Sequence, residues 1–218
     1  MNDKTVRYSV SRGRAFTISD YSKSVYGESV THTGGKYVRE WNPKRSKLAA
    51  ALIKGFSHFP FTTDSKILYL GASSGTTVSH ISDICVAGKI YAVEKAIEPF
   101  SKLLFLAEQR KNIYPILEDA NSPEKYKFFV DDVNVMYQDI SQRNQVQIFN
   151  ENVKAFPAIN KAILILKINA ISSKGKEHDI LQTNLRMIPH FKILDIIDLR
   201  PYSKANYFVF MQRIMGSV

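Results

Sequence analysis

From residue 66 to residue 211, short apolar runs alternate with longer stretches whose apolar positions recur every three or four residues. The runs 67–70, 90–93, 113–117, 133–137, 162–167, 191–197 and 207–211 are too short for helices and nearly continuous in apolar character. That pattern predicts strands covered on both faces, as in a mostly parallel sheet. Between them, 99–110 and 179–188 show helical spacing, so helices are expected on both sides of the sheet. The last two runs are joined through Arg200-Pro201-Tyr202, which predicts an antiparallel strand at one edge. The result is an α/β chain with a doubly wound, Rossmann-like sheet.

The first 45 residues have a different texture. Alternating runs at 6–10, 15–18, 25–31 and 36–41 are interrupted by Gly13, Gly27 and Gly34-Gly35, which predicts a small antiparallel β domain over 1–45. Asn42-Pro43 then opens a helix carrying Leu48, Leu52 and Ile53, the start of a larger domain over 46–218.

Composition narrows the picture. No apolar run approaches the roughly 20 residues needed to span a bilayer, and the opening MNDKTVRYSV lacks the apolar core of a secretory signal. Cys85 is the only cysteine, which excludes an intrachain disulfide and a cysteine-based zinc site. His32, His58, His80, His178 and His190 lack metal-ligand spacing, so no metal is expected. The net charge of +10 favours a polyanionic partner. Arg39, Lys44, Arg45, Lys47 and Lys54, near Tyr37 and Trp41, form the densest basic segment. They read either as a solvated face or as a surface for nucleic acid.

The chemistry begins at 66–77, a strand that runs into Gly71-Ala72-Ser-Ser-Gly75 and then a helix. Only small residues occupy the turn, so Gly71 and Ala72 let a ligand approach the backbone. The spacing is not that of a dinucleotide loop, and no Gly-Lys-Ser/Thr follows to grip a triphosphate. The next strand ends at Glu94, placed to accept both ribose hydroxyls of an adenosine. Glu118-Asp119-Ala120 and Asp139 follow the next two strands, so successive strands put acids at one sheet edge. Asp119 there can accept from an adenine amino group, with Ala120 leaving room for the ring.

These residues also carry a resemblance. Tyr-Leu-Gly-Ala-Ser-Ser-Gly-Thr-Thr-Val-Ser-His-Ile-Ser-Asp at 69–83 resembles the signature of the fibrillarin family of rRNA and tRNA 2′-O-methyltransferases. Trp-Asn-Pro-Lys-Arg-Ser-Lys-Leu-Ala-Ala-Ala at 41–51, Val-Tyr-Gly-Glu at 25–28, Tyr-Ala-Val-Glu at 91–94 and Glu-Asp-Ala-Asn at 118–121 do likewise. The similarity runs from about residue 25 to residue 213. It implies a small β domain followed by a Rossmann-like S-adenosylmethionine domain, and contacts to S-adenosyl-L-methionine from Thr76, Thr77, Glu94, Lys95, Asp119, Ala120, Asp139 and Gln142. It also implies a box C/D ribonucleoprotein in which a guide RNA selects the substrate rRNA. There a Nop-family scaffold docks the enzyme, beside a kink-turn-binding protein. Without a Gly/Arg-rich tail an archaeal, cytoplasmic setting is favoured, whereas a eukaryotic protein would be nucleolar.

A ribose hydroxyl is a poor acid, so its deprotonation calls for a lysine of lowered pKa. Lys167 ends an apolar strand, with Asp139 one strand over and Lys47 on the helix after Trp41. The resemblance gives all three catalytic roles. At the fourth family position, usually His, stands Asn206, which cannot titrate near neutrality. The family's Gly-Gly before strand five is replaced by Asn160-Lys161. Two accounts compete: an active enzyme in which the histidine only positions its neighbours, or a catalytically weakened structural subunit of the same particle. A methyltransferase for protein or small molecules is a third class, and no residue points to it.

Overall fold

The computed structural model describes residues 6–214, so the first half of the opening segment MNDKTVRYSV lies outside the described residues. Four strands, β1 (Tyr8–Ser11), β2 (Arg14–Ser19), β3 (Val30–Thr33) and β4 (Lys36–Trp41), form an antiparallel sheet in the order β1-β2-β4-β3. Its two hairpins close on Arg12-Gly13 and Gly34-Gly35, all with positive φ, as the twist of two-residue hairpins requires. The expected strand at 25–31 starts only at Val30. Glu28 turns back instead to accept the amides of Val25 and Tyr26 at 2.9–3.0 Å, which consumes that segment in a tight bend.

Helix α1 (Lys47–Ile53) starts later than Pro43. Asn42 O accepts from Arg45 and Ser46 N in a turn, and Ser46 caps the helix through its hydroxyl on Ala49 N. The remaining helices are α2 (Thr76–Ile84), α3 (Ile97–Gln109), α4 (Gln145–Ala155), α5 (Ile168–Ile171) and α6 (Glu177–Leu185). None among the described residues is long and apolar enough to cross a membrane.

The larger sheet contains β5 (Lys66–Leu70), β6 (Lys89–Glu94), β7 (Ile113–Leu117), β8 (Val135–Gln138), β9 (Lys161–Lys167), β10 (Phe191–Asp198) and β11 (Asn206–Arg213). Their order is β10-β11-β9-β8-β5-β6-β7, with β5 to β9 parallel. Both faces are buried, as expected: Ile67 and Tyr69 join one apolar cluster, Leu68 and Leu70 the other. One expectation fails. The antiparallel strand is β11, and it lies one place in from the edge, between β9 and β10. Burial explains the order. Phe208, Val209, Phe210 and Met211 are buried in succession, whereas β10 alternates and leaves Leu194 and Ile196 partly in solvent. The continuously apolar strand takes the inner place.

Candidate active site

Strand order reverses at β5, with β6 and β7 added on one side and β8 and β9 on the other, so the carboxyl ends of these parallel strands frame a crevice. After β5, Gly71 has φ +80°, and a Cβ there would lie 2.7 Å from Asp139 O. Gly75, at φ +86°, caps α2, and a Cβ would meet Leu106 Cδ2 at 2.5 Å. Packing against β8 and α3 thus demands both glycines, and the loop between them is held against the crevice wall.

Glu94, at the end of β6, accepts the amides of Ser73 and Ala96, each at 2.8 Å. Each oxygen keeps lone pairs for a further donor. Past β7, Asp119 accepts from Asn121 N at 2.9 Å and Nδ2 at 2.8 Å, with Lys95 Nζ at 3.4 Å. Burial opposes its charge, but the Asn121 donors and Lys95 outweigh that and hold the carboxyl below the usual range. Asn121 Nδ2 also donates to Gln142 Oε1 at 2.8 Å, tying the β7 and β8 loops together.

Past β8, Asp139 stands between two lysines. Lys47 Nζ donates to Oδ2 at 2.9 Å, and Lys167 Nζ lies 2.7 Å from Oδ1. Lys167 Nζ also donates to Asp139 O (3.2 Å) and Ser141 Oγ (2.8 Å). Each Asp139 oxygen is thus held by one ammonium group. Burial tends to raise the Asp139 pKa, but the two ammonium groups bring it below the ordinary carboxylate value. Lys167 is pushed below the ordinary lysine value, first by burial and further by Lys47, while Asp139 opposes the shift.

Lys47, Gly71, Glu94, Lys95, Asp119, Ala120, Asp139, Gln142 and Lys167 all line one cleft of about 430 Å³. That volume falls in the range of small-molecule sites. The donor set fits an adenosine-containing ligand: acids for hydroxyls and an amino group, and alanine where a ring needs space. Four expected residues do not line it. Ala72 is buried; Thr76 faces a neighbouring cavity; Thr77 donates to Ser46 Oγ at 3.0 Å. Asn206 is paired in register with Lys167, but its Nδ2 donates to Ser203 Oγ at 2.6 Å.

A sequence model of the family Fibrillarin matches residues 9–215. The chain belongs to the fibrillarin family. It is 55% identical over 198 residues, 91% of this chain and 93% of the other, to a fibrillarin-like rRNA/tRNA 2′-O-methyltransferase of Picrophilus torridus. Among solved structures it resembles the fibrillarin of a fibrillarin/Nop5p complex, with TM-score 0.89 and 38% identity over 96% of this chain and 98% of that one. It also resembles Aeropyrum pernix fibrillarin with natively bound S-adenosyl-L-methionine. There the TM-score is 0.83 and the identity 35%, over 91% of this chain and 88% of the other.

Sequence reasoning missed three groups at this fibrillarin site: Ser73, Ser141 and Gln145. Buried Gln145 accepts Lys167 N at 2.9 Å and donates to Lys167 O at 3.1 Å. Strand β8 stops pairing at Leu164, so this carboxamide takes the place of the peptide group that a longer β8 would supply. The basic segment also changes meaning. Arg39 and Trp41 are fully buried and Lys47 serves the cleft, whereas Lys44, Arg45 and Lys54 are exposed, Lys54 donating to Arg200 O.

Proposed function

We propose that this chain is an S-adenosylmethionine-dependent RNA 2′-O-methyltransferase and the catalytic subunit of a box C/D guide particle. The observation that carries the reading is the Lys47–Asp139–Lys167 cluster, one carboxylate bridging two ammonium groups, beside the acid-lined cleft. When bound, S-adenosylmethionine supplies an electrophilic methyl group on a sulfonium sulfur, which a ribose 2′-oxygen displaces. Gly71, which lines the cleft, would give its methionine part room near the backbone. Glu94 accepts from its ribose hydroxyls, and Asp119 and Gln142 serve the adenine beside Lys95 and Ala120. Asp139 Oδ1, 2.7 Å from Lys167 Nζ, holds that lysine in line with the 2′-hydroxyl proton. Lys167, neutral in a fraction that burial enlarges, removes that proton. Lys47 fixes Asp139 from its other oxygen. Asn206 holds Ser203 and supports the end of β9.

Three observations support a particle. The chain carries a net charge of +10, a relative was solved with Nop5p, and rRNA/tRNA 2′-O-methyltransferases are its relatives. A guide RNA, substrate rRNA, Nop-family scaffold and kink-turn-binding protein are the partners in this reading. The test is reconstitution with these components and labelled cofactor. Wild type transfers methyl groups, and Lys167→Ala lowers turnover about a hundredfold or more, as loss of a general base does. Cofactor binding without methyl transfer by wild type overturns the active reading and leaves a structural subunit. A large gain in turnover from Asn206→His would then identify the natural residue as the cause.

A further inference from the structure

The loop between β5 and α2 has two sides. Ser73 lines the cleft, whereas Ser74 and Thr76 line a second cavity of about 500 Å³. Its other walls include Val25, Tyr26, Arg45, Lys102, Phe105 and Leu106. Arg45 lies two residues before Lys47, so one short segment serves both cavities. The Arg45 guanidinium stands 5.7 Å over the Tyr26 ring and makes no ion pair among the described residues. Lys102 meets only Glu98, at 3.8 Å in an exposed pair of little strength. No carboxylate lines the cavity. Phe105, on α3, leaves its ring 64% exposed beside the two cations.

Two cations, free hydroxyls and a bare aromatic face together match an anionic ligand with a planar ring. A partner protein's apolar side chain would instead cover both cations without counter-charge, at a desolvation cost. We infer that this cavity holds a nucleotide of the substrate RNA adjacent to the methylated ribose. Arg45 and Lys102 meet its phosphate and Phe105 stacks on its base. The inference rests on the RNA-methyltransferase reading and adds where the strand runs after leaving Asp139.

The test measures binding of fluorescent substrate RNA to the reconstituted particle by anisotropy, alongside cofactor affinity and scaffold association. Variants are Arg45→Glu, Arg45→Lys and Phe105→Ala, with Lys44→Glu as the charge-matched exposed control. Arg45→Glu weakens RNA binding about tenfold, and Phe105→Ala does so to a similar degree, as lost base stacking does. Arg45→Glu also flattens the slope of log affinity against log salt by about 0.7, the value for one single-strand phosphate contact. Arg45→Lys restores most of that slope, and cofactor affinity stays unchanged throughout. If Arg45→Glu equals Lys44→Glu in effect, the inference is overturned. Loss of scaffold association with intact RNA affinity overturns it as well, by making the cavity a protein interface. A wild-type particle that binds RNA without turnover sinks the methyltransferase reading instead, while the variant comparison still decides what the cavity holds.

Discussion

Replacing Gln145 by methionine keeps its volume and removes both hydrogen bonds to the Lys167 backbone. Gln145 is fully buried, so water does not replace the lost partners. Each buried peptide group left unpaired costs about 1–3 kcal/mol, and partial relaxation brings the pair to about 3 kcal/mol. For a chain of this length that lowers the melting temperature by about 6–12 °C. Lys167 also loses its fixed approach to Asp139 and Ser141, so turnover falls about tenfold or more, since small misplacements are expensive in catalysis. The KM values change little, because Gln145 does not line the cleft. Calorimetric melting, single-turnover methyl transfer and the pH–rate profile measure the three effects. A purely structural role lowers the melting temperature and leaves the profile in place; repositioned Lys167 moves its rising limb. Melting within about 2 °C of wild type, together with normal turnover, refutes the reasoning.

Two further predictions follow from the charges. Lys47 contributes to the downward shift of Lys167, so Lys47→Met raises the Lys167 pKa. The base is then protonated over a wider range, and the rising limb of kcat against pH moves to higher pH; a limb that stays or moves lower contradicts the assignment. Glu94→Ala removes the acceptor shared by Ser73, Ala96 and the expected ribose, and lowers cofactor affinity about 10- to 100-fold, as loss of charged hydrogen bonds does. The increase in melting temperature on adding S-adenosylmethionine shrinks accordingly, and an undiminished increase removes Glu94 from the site.

Much of this was readable in the chain because parallel strands buried on both faces are written as unbroken apolar runs. Glu94, Asp119 and Asp139 were legible for a related reason: each lies within two residues of the end of such a run, and parallel strands bring those ends to one edge. Gln145 and Ser141 were not, because their roles depend on β8 ending short of β9, a fact of relative strand length that no local pattern contains. The place of β11 rested on comparing burial of β10 and β11, and both runs look apolar in isolation. Arg39 misled in the opposite direction. Its charge reads as surface, and the partners that let it be buried, Glu28 and Asp83, lie 11 and 44 positions away.

Those partners explain why the small sheet belongs to the site. Asp83 on α2 receives Arg110 at 2.6 Å and Thr17 of β2 at 2.9 Å, besides Arg39 of β4, and all four groups are buried. His80, one turn earlier, bonds Thr17 and Tyr26, each at 2.8 Å, and stacks on Trp41. Burial and the nearby arginines hold its pKa well below the usual value, so the ring stays neutral. Buried ion pairs add little net stability, but removing one member leaves a stranded charge at a cost of about 3–5 kcal/mol. Alternative placements of α2 against the sheet are therefore strongly penalised. The first turn of α2 carries the glycine loop, and β4 leads directly into the segment bearing Arg45 and Lys47. The network thus sets both walls of the cleft from one anchor, which accounts for so many charged groups being buried away from any ligand.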